Sequence, residues 1–436
     1  MQNNAKQVPD TQRVENPWDW VESTIWTDRM LAALVNGVKG NKWFSLWDKV
    51  WRMQTLQAAW EKVRSNKGSA GVDKISIKRF GLKAETYLTE LSAALREGSY
   101  QPLAIKRVDI PKGDGKTRPL GIPTVKDRIV QAAIVKVIEP IFENEFLSMS
   151  YGFRPNRGCK DALREVDSLL KEGYVWVVDA DIQGYFDNIP QDKLMSRVEE
   201  RISDGTLLSV IHKFLRQPIL KELETFVPEK GTPQGAVLSP LLANIYLHPL
   251  DKVITQDGHK MVRYADDFVI LCKSKEEAEQ ALARVKGWVH DNGLTLHPDK
   301  THLGNCLEPD NGFEFLGYRF EAGGRYVRKK SMAKLRDKIR EKTKRSVGCS
   351  VDYVIGTLNP TLRGWFEYFK HAQGNTFRVV DGFVRRRLRS ILRRQNKQSA
   401  GTGRCLNDHL RWPNKYFAER GLFTLQTAHD LACRSR

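Results

Sequence analysis

The chain has 436 residues, 41% hydrophobic and 28% charged, long enough for two or three domains around a sizeable core. No run approaches the 18 apolar residues of a membrane span, and the start, Met1-Gln-Asn-Asn-Ala-Lys, lacks a signal-peptide core, so a cytoplasmic protein that avoids membranes is expected. The six cysteines (159, 272, 306, 349, 405, 433) form no C-x-x-C pair, which argues against a zinc site or a disulfide framework. Net charge is +19, but residues 1–320 hold 44 basic and 43 acidic side chains while residues 321–436 hold 27 and 9. The excess therefore sits in the last quarter, where a polyanion would be gripped.

In chain order, residues 1–52 form an extension with Trp18, Trp20, Trp26, Trp43 and Trp47, and Trp26–Val38 suits an amphipathic helix. Its role stays open, with packing onto the fingers the plain default. Residues 53–66 read as a helix ending in the Gly-rich loop Asn66-Lys-Gly-Ser-Ala-Gly-Val-Asp73. Residues 174–182 are β-branched and aromatic, a buried strand whose alternation puts Val175, Val177, Asp179 and Asp181 on one face. Residues 263–271, Arg-Tyr-Ala-Asp-Asp-Phe-Val-Ile-Leu, fit two short strands joined at a tight turn with Asp266 and Asp267 at its tip. Helical periodicity returns over Glu276–His290, Ser331–Lys344, Val351–His371 and Phe377–Arg394, and Gly401-Thr-Gly-Arg404 marks a boundary before a short tail.

Adjacent carboxylates in an apolar frame repel each other and lose hydration, so they call for a positive partner. A hard divalent cation such as Mg²⁺ suits all-oxygen ligation; an ordinary hairpin whose turn carries Asp-Asp is the plain alternative. If the 174–182 strand lies beside the hairpin, Asp181 joins Asp266, and two ions roughly 4 Å apart could clamp the oxygens of a phosphoryl transfer. Asp179 reads as a structural or supporting acid.

Asp181-Ile-Gln-Gly-Tyr-Phe-Asp187 and Tyr264-Ala-Asp-Asp267 resemble the two metal-binding motifs of reverse transcriptases. Five further segments are similar to that family's, in its order: Ile110–Pro123, Tyr151–Gly158, Gly231–Asn244, Gly293–Thr301 and Phe315–Tyr318. Leu358–Phe369 resembles the maturase-specific region of group II intron-encoded proteins, so the likeness covers residues 55 to 400. It implies an α+β right-hand polymerase, with fingers and palm at 53–325, an α-helical thumb/maturase domain at 326–400 and a basic segment at 401–436.

By the same resemblance, Asp181, Ile182, Asp266 and Asp267 hold two Mg²⁺ ions, and Lys300 protonates departing pyrophosphate. Lys112 and Arg118 close on the deoxynucleoside triphosphate, a point charge and a fork suited to phosphate. Phe186 is the ring that excludes a 2′-hydroxyl, and Gln234 hydrogen-bonds near nucleotide and template beside Gly235. Arg154 and Asn156 support template or fingers, and the Gly-rich loop meets the template. Arg363, Arg385, Arg386, Arg387, Arg389, Arg393 and Arg394, interleaved with aromatics, are the expected RNA grip.

The implied function is RNA-directed DNA synthesis from an RNA template and DNA primer, joined to intron-RNA binding, assistance to splicing, and retrohoming into target DNA. The alternatives are a splicing factor that does not use the polymerase site and a host-adopted reverse transcriptase in repair or defence; a homodimer is allowed. Many group II proteins add a Cys/His-rich endonuclease; without one, integration would prime from a pre-existing 3′ end.

Overall fold

The computed structural model describes residues 18–113, 116–344, 348–396 and 405–434, with only the backbone of Lys39, Lys112 and Lys116. The expected boundary at 401–404 and the first 17 residues lie outside the described residues. In chain order the strands are β1 (Ile105–Gly113), β2 (Lys116–Ile122), β3 (Trp176–Asp181), β4 (Ile219–Lys221), β5 (Glu224–Phe226), β6 (Lys260–Tyr264), β7 (Asp267–Cys272), β8 (His302–Asn305), β9 (Phe313–Phe315), β10 (Tyr318–Glu321) and β11 (Gly324–Val327). They form three sheets, ordered β2-β1-β4-β5, β6-β7-β3-β8 and β11-β10-β9.

The central β6-β7-β3-β8 sheet is antiparallel and covered on both faces, as the period-2 alternation of its strands requires. Val178, Ala180, Phe268 and Ile270 point into one apolar cluster, which includes the helices Val125–Glu143, Ser239–Gln256 and Lys275–Asp291. Val177, Val262, Val269 and Leu271 point into the other, with the helices Cys159–Lys171, Val351–Phe369 and Asn375–Gln395. Helix starts follow capping chemistry: Thr124 Oγ1 accepts from Asp127 N, and Ser274 and Ser350 cap their helices in the same way.

The flanking segments are not separate from the core. In the Trp-rich extension, Ile25, Trp26, Leu46 and Val50 are buried in the first cluster, and the short helix Asp28–Asn36 lies within the predicted 26–38 stretch. Asp204 Oδ2 accepts from both Leu46 N and Trp47 N at 2.8 Å, while its Oδ1 caps the helix Gly205–Leu215. One carboxylate thus ties the extension to the start of the helix Gly205–Leu215. At the other end, Trp412, Phe417, Leu422 and Leu425 join the second cluster, so residues 405–434 pack against the helices Val351–Phe369 and Asn375–Gln395.

Candidate active site

Register brings the acids together. In the antiparallel β3–β7 pair Asp181 stands directly opposite Asp267, and Asp266 precedes it in the β6–β7 turn. That turn is bent by Ala265 in the left-handed region (φ 61°), which costs an L-residue energy and needs outside support. Support comes from Arg263, fully buried, whose Nη1 donates to the Ala265 carbonyl at 2.9 Å. The same guanidinium donates to both oxygens of the equally buried Asp251, Nε to Oδ1 at 2.7 Å and Nη2 to Oδ2 at 2.5 Å, and to Asn244 Oδ1 at 3.0 Å. Asn244 in turn donates to the Gly152 carbonyl at 2.7 Å, and a Cβ on Gly152 would lie 2.3 Å from Ala265 N. Gly152 therefore lets the Tyr151–Gly158 segment press against the acidic turn.

Sequence reasoning assigned no role to Arg263, Asp251 or Asn244. A signal was present: an arginine inside an otherwise apolar, buried strand needs a carboxylate partner, and Asp251 lies on a helix of apolar residues just upstream.

The electrostatics of the acids follow from crowding. Burial, then the neighbouring Asp266, push the Asp267 carboxyl up to about 6, against a backbone hydrogen bond from Leu316. Burial and Asp267 push Asp179 to about 7. Asp181 is more open, and Lys300 Nζ donates to its Oδ2 at 2.6 Å. All donors at the turn are oxygens, the set a hard divalent cation takes, and their mutual repulsion favours an added positive charge. No three acidic, His or Cys side chains among the described residues close on a single point. The side chain of Ile182 is buried, so only its carbonyl could join such a set.

Around the acids, Phe186 is half-buried and packs edge-on against Tyr185, whose hydroxyl donates to the Ala243 carbonyl at 2.6 Å. The backbone oxygen of Phe186 accepts from Thr232 N at 2.7 Å, and Gln234 Nε2 donates to Asp187 Oδ2 at 3.0 Å. Gly121 N donates to the Gln234 carbonyl at 2.6 Å, which joins this loop to β2. A Cβ on Gly235 (φ 105°) would lie 2.4 Å from the Gly121 oxygen. Arg118 is exposed on β2, paired across from Ile110; the side chain of Lys112 is outside the described residues.

Several expected contacts take other roles. Arg154 is buried and spends its guanidinium on Glu143 and on the carbonyls of Leu147 and Ser150, so of its two expected supports, template or fingers, it fits the bracing of the protein's own loop. Asn156 is exposed in the left-handed region. Among the arginines, Arg389 is 2% exposed and donates to the Trp412 carbonyl and Asn414 Oδ1, which removes it from any RNA-facing surface. Arg393 is paired with the buried Asp408 at 2.9 Å, and Arg387 donates to Thr343 Oγ1 and O. Arg385 is half-buried beside Asp381. Arg394 is exposed; Arg363, also exposed, stacks over Phe423 at 4.7 Å, and Arg386 over Phe383 at 5.1 Å. No helix among the described residues is long and apolar enough to cross a membrane.

Comparison with known proteins matches residues 110–320 to the family "Reverse transcriptase (RNA-dependent DNA polymerase)" and residues 332–410 to "Group II intron, maturase-specific domain". Protein YkfC of Escherichia coli K12 is 34% identical over 296 residues, 58% of this chain and 77% of that protein. The group II intron-encoded protein LtrA of Lactococcus lactis is 30% identical over 370 residues, 70% of this chain; the chain spans 60% of LtrA's length. Among solved structures, a chain of the partial Cas6-RT-Cas1–Cas2 complex is 27% identical with a TM-score of 0.36, over 57% of this chain and 41% of that one.

Proposed function

Because this chain belongs to the reverse transcriptases that carry a group II intron maturase-specific domain, we propose that it copies RNA into DNA at the acidic turn and binds intron RNA through its helical C-terminal part. The observation that carries the polymerase reading is the β3–β7 register, which sets Asp181 opposite Asp267 and beside Asp266. These carboxylates, with the Ile182 carbonyl, would hold two Mg²⁺ ions, which when bound supply the positive charge that nucleotidyl transfer needs at its attacking and departing oxygens.

The chain's own groups do the rest. Arg118, with Lys112, draws in the triphosphate by charge and by a bidentate fork. Phe186, fixed from behind by Tyr185 and by the Thr232 bond, occupies the space a 2′-hydroxyl would need. Gln234, held by its bond to Asp187, hydrogen-bonds near the nucleotide and template. Lys300 gives a proton to the departing pyrophosphate, a role its bond to Asp181 at 2.6 Å supports by keeping it beside the acids. Intron RNA, target DNA and retrohoming are the expected partners and setting of this chemistry.

The test is primer extension on an RNA template by Asp266→Asn. Loss of cDNA synthesis with retained RNA affinity is the expected result; unaltered extension would overturn the polymerase reading and leave an RNA-binding splicing factor.

A further inference from the structure

The helix Cys159–Lys171 carries Lys160, Arg164, Asp167 and Lys171 at i, i+4, i+7 and i+11, a spacing that places all four on one stripe. The three cations are exposed. This stripe is one wall of a cavity of about 350 Å³; Arg325 of β11 and Lys370, just past the helix Val351–Phe369, stand on the other. Asp167 is already shared between the walls, with Lys171 at 3.2 Å and Arg325 at 3.4 Å. Arg164 and Lys370 pair outside the cavity, with Asp161 at 2.6 Å and Glu367 at 3.1 Å. Five cations against these three carboxylates leave an excess of positive charge. Surface pairs of this kind contribute little to stability and give way to a phosphate oxygen.

The stripe starts at the acidic turn. Cys159, the first residue of the helix, hydrogen-bonds Tyr264, which directly precedes Ala265, and Tyr368 on the opposite wall. From there the stripe runs roughly 16 Å, at about 1.5 Å per residue, to Lys171. Lys171 and Val175 line a second cavity of about 500 Å³, which shares Asp167 and Arg325 with the first and prolongs it. Val175 immediately precedes Trp176, the end of β3 away from Asp181. The cations therefore lead from the acidic end of the central sheet toward its far end. They also span both matched regions, with Lys160, Arg164 and Lys171 in the reverse transcriptase match and Lys370 in the maturase-specific one.

A primer is extended only when its 3′ end lies at the acids, and the base pairs behind that end are covalently bound to leave from the same place. One strand of a duplex carries a phosphate about every 3.4 Å along the axis, so a track of roughly 16 Å faces about five of them. We infer that this track holds the backbone of the primer–template duplex just behind the growing end, with Lys160 nearest the acids, Lys171 farthest, and Arg325 and Lys370 gripping from the other wall. Contacts of this kind go to phosphate and position a duplex without reading its sequence. The inference rests on the polymerase reading above.

The test uses the full chain and a DNA primer annealed to a labelled RNA template, with binding read by fluorescence anisotropy in the absence of deoxynucleotides. The triple variant Lys160→Gln/Arg164→Gln/Lys171→Gln should bind this duplex about tenfold more weakly and flatten the dependence of log K on log salt by roughly 2, with Tm unmoved. Lys370→Gln, on the opposite wall, should flatten it by roughly 0.7–0.9. Shortening the duplex well below about five base pairs should erase the difference between wild type and the triple variant. A salt slope that neither variant changes overturns the inference. So does an equal loss on the same RNA without a primer or on a folded RNA hairpin, which would assign the track to RNA in general. Wild-type extension in the same samples separates the failures. A wild type that extends the primer while the triple variant binds the duplex unchanged refutes the track alone; one that binds without extending refutes the polymerase reading with it.

Discussion

The acidic turn at 266–267 and the arginine run at 385–394 both concentrate like charge in a few residues, yet the fold treats them in opposite ways. At the turn, the β3–β7 register adds a third carboxylate to two, and burial pushes Asp267 up to about 6. In the helix Asn375–Gln395 the charges are dispersed by 3.6-residue periodicity: Arg389 turns inward to the Trp412 carbonyl, Arg393 to Asp408 and Arg387 to Thr343, leaving Arg394 exposed. Charge gathered against electrostatic preference marks chemistry, whereas charge that finds partners within the fold marks architecture.

The largest effect that would sharpen this contrast is at β3. Asp181→Asn should lower primer extension by roughly a thousandfold, about 4 kcal/mol in barrier height, with thermal stability unchanged or raised because one repelling charge is gone. A large fall in Tm with little change in rate would make Asp181 architectural and break the comparison.

The next concerns the buried pair beneath the turn. Arg263→Met leaves Asp251 charged and alone at full burial, and should cost about 3–5 kcal/mol of stability, read in urea unfolding. The double variant Arg263→Met/Asp251→Leu should recover most of that, yet not activity, because the Ala265 carbonyl loses the donor that holds its left-handed turn. Full activity in the double variant would show that the turn keeps its shape without the guanidinium.

How much of this was legible beforehand depends on the range of the interactions. The β6–β7 hairpin, the Met53–Asn66 helix and the three C-terminal helices follow from local periodicity and lie within a few residues of their expected bounds. Asp181 was linked to Asp266 by family likeness, and the pairing register then placed it. The arginines misled because helical phase fixes which of them face inward, and their partners, Trp412, Asn414 and Asp408, lie 15 to 25 residues away in the short segment after the helix. Asp204 was missed for the same reason: its two extra donors come from residues 157 and 158 positions upstream.

Glu139 is an acid with no salt-bridge partner among the described residues. Burial and the neighbouring Glu143 raise Glu139 from 4.5 to about 7, against weaker pull from Lys62 and Lys136. Between those two values the folded state holds a proton that the unfolded chain has lost, so this carboxyl costs nothing below pH 4.5, destabilises progressively as pH rises from 4.5 to about 7, and its cost levels off above that. Glu139→Gln should therefore raise Tm at pH 8, by up to about 2 kcal/mol in stability after allowing for its partial exposure, and change little at pH 5. The same gain at both pH values would mean that packing, not charge, is what Gln improves.

The smallest effect is the most direct test of the contrast, because it compares two arginines of one helix. Arg394 is exposed, and replacing it by Ala should weaken RNA binding by about 1 kcal/mol and flatten the dependence of log K on log salt by roughly 0.7–0.9, one phosphate's share, with Tm unmoved. Arg389→Ala removes donors from the Trp412 carbonyl and Asn414 inside the second cluster, so its expected signature is the reverse: a Tm drop with the salt slope intact. Binding measured by fluorescence anisotropy between 50 and 200 mM salt, roughly the range over which phosphate contacts are most visible, separates the two. If Arg389→Ala flattens the slope as much as Arg394→Ala while the protein remains folded, its guanidinium must reach RNA despite 2% exposure, and the division between architectural and RNA-facing arginines fails.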